Sequence, residues 1–182
     1  MKKILFLAIL LALSAYTYAQ IQLPLGAKST IGQRLYFGGS MGFQLGTITY
    51  VDVSPLAGYM ITRKLSAGVG ITYRYLKYRN INYETNIYGG RLFARHNVSL
   101  LNLPLFLYGE YENLNLEYAK YTSISTYELI REWVPSVLVG GGLFQPIGNR
   151  AGFMILALYN LIFDEVRSPY NSPWVVRVGF TL

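Results

Sequence analysis

The last ten residues of the chain, Pro173 to Leu182, read PWVVRVGFTL and alternate strictly in character. Trp174, Val176, Val178, Phe180 and Leu182 fall on one face of an extended segment, and Val175, Arg177, Gly179 and Thr181 on the other. That period of two is a β-strand. A soluble sheet turns its apolar face to its own core. A strand with five large apolar groups outward and an arginine opposite suits instead a barrel wall in lipid, where the outer face meets hydrocarbon and the lumen is polar.

The opposite terminus predicts export. Lys2 and Lys3 precede an apolar run, Ile4 to Leu13, and Ser14 to Ala19 ends in Thr-Tyr-Ala before Gln20. This is the pattern of a secretory signal peptide over residues 1–19, too short to span a bilayer as a helix. Removing those 19 of 182 residues leaves one domain by length and takes the formal charge from +7 to +5 by loss of two lysines. The remaining basic residues are scattered, so nucleic acid is an unsuitable partner and anionic lipid a more natural one. The chain has no cysteine, which excludes a disulfide scaffold and thiolate metal sites.

Composition then narrows the fold. The chain is 52% apolar with 17 Tyr and 18 Gly, yet its longest mature apolar run, Ala151 to Phe163, falls short of a spanning helix. Pro135, Pro146 and Gly140 to Gly142 interrupt another uncharged stretch, Trp133 to Asn149. A chain this apolar without spanning helices satisfies its backbone in lipid by closing a barrel. The expectation is an all-β, eight-stranded antiparallel up-and-down transmembrane barrel over residues 35–182, after a periplasmic lead-in at 20–34.

The strands are predicted at Leu35 to Leu45, Ile48 to Ile61, Leu65 to Tyr78, Ile87 to Val98, Leu103 to Tyr118, Tyr127 to Phe144, Ala151 to Ile162 and Trp174 to Leu182. Pro55 cannot donate to a ladder, so a bulge is expected near Ser54 and Pro55. Strand seven is apolar on both faces and its inside is not assigned. Arg79 to Asn86, Ala119 to Thr126 and Phe163 to Ser172 read as polar outer loops, while turns near Arg63, Leu100 and Gly148 are short. Short periplasmic turns and longer outer loops place Trp133 and Trp174 in an aromatic girdle near the outer strand ends.

The charges follow from the same alternation. A three-residue turn at Thr62 to Lys64 pairs Leu65 with Ile61 and sets Arg74 opposite Asp52. Pairing Val98 with Leu103 sets Arg91 opposite Glu110. Eight strands leave an interior just wide enough for side chains, so Asp52, Arg74, Arg91, Arg95, Glu110, Glu112 and Arg177 read as a lumen network of paired charges rather than a pore lining. A small anion site or conduit among the surplus arginines is the competing reading.

The signal peptide ending at Ala19, the strands YFGGSMGFQLG and LSAGVGITYRY, and the final WVVRVGF together resemble the small outer-membrane barrels of the OmpA and OmpX type of Gram-negative envelopes. The resemblance spans the mature chain as architecture. It implies that the last strand (Trp174, Val176, Val178, Phe180, Leu182) is the signal read by the barrel-assembly machinery, although the chain ends on Leu182 where the family usually ends on an aromatic residue. It also implies outer-membrane lipid and lipopolysaccharide as surroundings.

Chemistry has little support. Some eight-stranded barrels resemble lipid-modifying enzymes that need a histidine and a serine together, but His96 and Ser99 are three apart on one strand and so on opposite faces. Gly89 to Gly90 and Gly140 to Gly142 open no helix, and no pattern calls for a cofactor or metal. Asn97-Val98-Ser99 spells a glycosylation acceptor in what reads as a periplasmic turn. The sequence thus points to a non-enzymatic barrel with structural and surface-presenting roles, its loops carrying Tyr118, Tyr121, Tyr127 and Tyr170. An accessory subunit of a larger envelope machine, attached through the outer loops or the periplasmic lead-in, is the alternative, and a narrow channel a weaker one.

Overall fold

A computed structural model describes residues 31–44, 48–78, 83–100, 103–123, 126–147 and 151–182. The expected signal peptide, most of the lead-in and the hairpin near Gly46 lie outside them. One helical turn, α1 (Ile31–Arg34), leads into β1 (Leu35–Gln44), β2 (Ile48–Met60), β3 (Leu65–Tyr78), β4 (Tyr83–Leu100), β5 (Leu103–Ser123), β6 (Thr126–Ile147), β7 (Ala151–Asn160) and β8 (Trp174–Thr181). Each strand pairs antiparallel with the next and β8 returns to β1, giving a closed eight-stranded barrel. This is the fold expected from the alternation.

The outward face is largely apolar, and the charged side chains of the wall face the lumen, together with a buried apolar cluster that includes Leu56, Phe106 and Leu158. Phe37, Val69, Leu92, Leu107, Phe153 and Val178 are each more than half exposed, whereas Arg91, Glu110 and Glu112 are at most 5% exposed. That inversion is what a wall in hydrocarbon requires. Strand β7 acquires its direction from its neighbours: Met154, Leu156, Leu158 and Asn160 are buried inside, and Phe153, Ile155 and Tyr159 face out. Apart from Asn160 at the strand end both sets are apolar, so periodicity alone could not separate them. Pairing with β6 and β8 does.

Three local expectations are corrected. The stretch expected as a loop at Ala119 to Thr126 is mostly hairpin, since β5 runs to Ser123 and β6 starts at Thr126. Likewise Tyr83 to Asn86 belongs to β4, paired with β3 through Tyr75↔Asn86 and Lys77↔Glu84. Polar side chains signalled loops there, but ladder pairing is made by the backbone and continues through residues with no apolar face. No bulge forms at Pro55. Val53↔Tyr73 and Leu56↔Gly70 keep one register across the gap in the β2–β3 ladder, and Pro55 points outward. The strain falls on the opposite strand, where Gly39 has φ +154° and a Cβ would lie 2.6 Å from the Ser54 carbonyl oxygen.

Several inward glycines lie directly across from a large inward side chain. Gly58 faces Tyr36, Gly68 faces Phe93, Gly70 faces Arg91 and Gly142 faces Phe106. Each large group lies over the space its partner leaves, which is how a narrow lumen holds aromatic rings and guanidinium groups together. A Cβ at Gly68 would meet the Ala57 carbonyl oxygen at 2.3 Å and the Phe93 ring at 2.5 Å. The Gly68→Ala variant is therefore expected to lose about 1 to 3 kcal/mol through overpacking. Urea titration in lipid vesicles measures this, and an unchanged midpoint would show that the wall yields at this point.

The seam between β1 and β8 is short. Gly38↔Thr181 and Gly39↔Phe180 pair, and the Leu182 N–H donates to the Phe37 carbonyl at 2.7 Å. The last three residues thus make the closure described between the first and last strands.

Candidate functional site in the barrel lumen

The polar centre is assembled by register. Leu56, Gly70, Arg91, Glu112 and Ser136 are successive neighbours across β2 to β6. Arg91 therefore lies opposite Glu112, not opposite Glu110 as the turn length assumed from the sequence requires. The β4–β5 connection closes at Leu100↔Leu103, which slides the register by two residues. A slide of two preserves the face, so all three charges still point inward.

The β2–β3 turn has the expected length, and Arg74 lies opposite Asp52, its Nε 2.8 Å from Asp52 Oδ2. Asp52 also accepts hydrogen bonds from Tyr50 (2.8 Å) and Ser54 (2.7 Å). Arg177, delivered by β8, joins the two glutamates: Nη1 lies 2.6 Å from Glu110 Oε1 and Nη2 3.4 Å from Glu112 Oε2. Arg91 reaches Glu110 diagonally at 3.8 Å and donates from Nη2 to the Ser54 carbonyl at 2.8 Å. Tyr108 donates to Glu110 at 2.9 Å.

Three cations thus meet three carboxylates and the cluster is neutral. Burying an ion costs several kcal/mol unless charge and hydrogen bonds compensate it. Here each carboxylate has at least one guanidinium and one hydroxyl beside it. A cavity of about 10 Å³ between Ser40, Arg91, Tyr108 and Arg177 matches one water molecule in size. The arrangement fills the lumen.

Arg95 does not join. Its guanidinium lies 4.1 Å from the Phe106 ring centroid and 5.0 Å from that of Phe144, and its Nε donates to Asn97 Oδ1 at 3.0 Å. The next inward residue toward the centre is Phe93, stacked on Tyr108 with centroids 5.6 Å apart. These rings separate Arg95 from the glutamates. Asn97 is thereby an inward strand residue rather than part of a turn.

Tyr170 was legible only as a loop residue suited to surface contact. The link between β7 and β8 instead turns it into the lumen, where its hydroxyl hydrogen-bonds with Glu112 and Arg177 and accepts from Arg74 Nη2 at 3.2 Å. No pattern in SPYNSP signals this; the hydroxyl goes where two arginines and a glutamate from three strands converge. The rest of the link is ordered by Asp164, whose Oδ1 accepts from the backbone N–H groups of Val166 (2.9 Å) and Arg167 (3.1 Å). Those two donors hold the Asp164 carboxyl below its usual value of 3.8, so this anchor is present at neutral pH and is lost only as the pH falls through the lowered value. Arg167 is also 3.0 Å from Glu132 on β6.

Removing the shared hydroxyl is expected to loosen this link. Tyr170→Phe leaves Arg74, Arg177 and Glu112 each short of a partner, at about 1 to 3 kcal/mol. Trypsin cleavage after Arg167 in the folded, vesicle-embedded protein should then accelerate. Cleavage at the wild-type rate would mean the link is held without Tyr170.

At the end of the barrel that carries the β7–β8 link, Tyr159 meets Trp174 edge-on with centroids 5.0 Å apart, and Tyr88 meets Trp133 likewise at 6.1 Å. Trp133 and Trp174 are both more than half exposed, as are Val176, Val178 and Leu182 on the outward face of the last strand. His96 faces outward on β4, with Ser99 three positions on in the same strand.

No protein-family model matches the chain, and no curated protein matches it in sequence. Among solved structures it is similar to the N-terminal β-barrel domain of Pseudomonas aeruginosa OprF, at 12% identity, covering 81% of this chain and 96% of that one, with a TM-score of 0.48. The closed barrel described above stands on its own hydrogen-bonded register.

Proposed function

We propose that this chain is an integral outer-membrane β-barrel of a Gram-negative envelope, without enzymatic activity, which contributes to envelope integrity and presents its outer end at the cell surface. The neutral, side-chain-filled lumen carries this reading. Six paired ions, of which Arg74, Arg91, Glu110 and Glu112 are buried and Asp52 and Arg177 partly so, are joined by Tyr170 from the outer side, so the interior is built to hold the wall rather than to pass or transform a solute. The outer end favours presentation: β5 and β6 stay paired from Asn115↔Trp133 to Lys120↔Glu128 and beyond, a ribbon continuing past the Trp133 level of the aromatic girdle.

In this reading outer-membrane lipid and lipopolysaccharide surround the wall, Trp133 and Trp174 anchor it at the outer interface, and the last strand serves the barrel-assembly machinery. The leader over residues 1–19 directs export. The deciding experiment is the mass of the protein extracted from its native membrane in mild detergent, together with single-channel recording of the folded barrel. A monomer that leaves bilayers electrically silent is expected. A stable larger particle would make the chain a subunit of an envelope machine, and discrete conductance steps would make it a channel.

A further inference from the structure

Charge is sorted along the barrel axis. All nine acidic side chains of the chain lie at the ring of Asp52, Glu110 and Glu112 or toward the end that carries the β3–β4, β5–β6 and β7–β8 connections. The other end carries Arg34, Arg63, Lys64 and His96. In sequence, residues 101–102 and 148–150, which join β4 to β5 and β6 to β7, contain no acid.

Four elements bring these basic residues to one side of the rim. Arg34 precedes Leu35, which pairs with Tyr59. Leu65 pairs with His96, and the Asn97 N–H donates to the Lys64 carbonyl at 2.7 Å. The turn itself is fixed: the Thr62 N–H donates to the Leu65 carbonyl at 3.0 Å, and Thr62 Oγ1 accepts from the N–H groups of Lys64 (3.2 Å) and Leu65 (2.9 Å). Arg63 and Lys64 are therefore exposed on an ordered turn. Directly beyond them the outward apolar wall begins with Leu35, Ile61 and Val69. Cations at the edge of an apolar belt stand at headgroup level, where long basic side chains keep their stems on the wall and their charge in the polar layer.

We propose that this basic rim over β1 to β4 is a docking surface for anionic phospholipid, its phosphate-bearing headgroup seated against Arg63, Lys64 and His96. The inference rests on the membrane placement proposed above but on no particular role for the barrel. Lipid, rather than a soluble polyanion, is the occupant because the cations adjoin the apolar wall that the acyl chains would cover. Each basic residue near such a surface raises association about fivefold at low salt.

The test refolds the mature chain into phosphatidylcholine nanodiscs doped with phosphatidylglycerol and measures, with spin-labelled lipids, how strongly each contacts the protein. A preference for phosphatidylglycerol of about fivefold or more is expected, falling with added salt. It should also fall in the Arg63→Gln/Lys64→Gln variant and persist in Lys77→Gln, which alters the other end. Equal association of the two lipids, or a preference that survives the double substitution, would overturn the inference. So would rim-dependent binding of soluble polyphosphate by the detergent-solubilised chain without any lipid preference. A chain that refused to enter the discs would instead overturn the membrane placement, so the two failures are distinguishable.

Discussion

Replacing Arg177 with methionine is expected to lower the unfolding free energy by about 3 to 5 kcal/mol, the largest loss of any single lumen side chain. Among the described arginines Arg177 alone contacts both buried glutamates, at 2.6 Å and 3.4 Å. Glu110 and Glu112 are 4% and 0% exposed. Without Arg177, Glu110 keeps only the 3.8 Å contact to Arg91 and the Tyr108 hydroxyl. Adding Glu110→Gln to Arg177→Met removes the uncompensated charge, so the double variant should lose less than the sum of the two single losses, by 1 kcal/mol or more on the scale of coupled neighbours. Arg95→Met is the control. Its partners are aromatic rings and Asn97, and such contacts contribute only about 0.5 to 2 kcal/mol. Urea titration of the wild type and the four variants in vesicles decides the matter: additive losses, or an Arg95 effect as large as that of Arg177, would mean the centre does not work as one charge cluster.

A chain ending at Gly179 is expected not to fold at all. Deleting Phe180 to Leu182 removes Gly39↔Phe180, Gly38↔Thr181 and the backbone bonds between Phe37 and Leu182, all of the β1–β8 pairing seen among the described residues. Two strand edges would then stand open in hydrocarbon, where each unsatisfied backbone group costs several kcal/mol. Refolding from urea into vesicles, without any assembly machinery, should yield no heat-resistant compact band on an unboiled gel. The Leu182→Ala variant separates closure from recognition. Its backbone still closes the seam, so it should refold in vesicles, and only its assembly in cells would suffer if the outward side chain is what the machinery reads. A compact band from the truncated chain would show that the seam is closed elsewhere.

How far each feature could be read without coordinates follows from the physics that fixes it. The period of two along β1, β3 and β8 determined which side chains face out, because alternation is a property of the extended chain itself. It also brought Asp52, Arg74, Arg91, Glu110, Glu112 and Arg177 to the inside, since a register slide of two leaves parity unchanged. The partner of Arg91 was another matter. It depended on whether the β4–β5 connection spans two residues or four, and sequence has no local signal for that length. Strand β7 shows the same limit from the other side, being apolar on both faces apart from Asn160 at its end and oriented only by its ladders to β6 and β8. Polar composition misled at Tyr83 to Asn86 and Ala119 to Ser123, because ladder pairing is made by the backbone and needs no oily face.

The sequence by itself therefore determined the barrel, its inverted polarity and the set of charges inside it, all consequences of backbone alternation and of what a backbone in lipid requires. Tertiary structure alone decided who pairs with whom: Arg177 bridging Glu110 and Glu112, Arg95 held apart against Phe106, and Tyr170 drawn from a loop into the charge cluster. Those choices depend on distances between strands remote in the chain, and closing the barrel is what sets them.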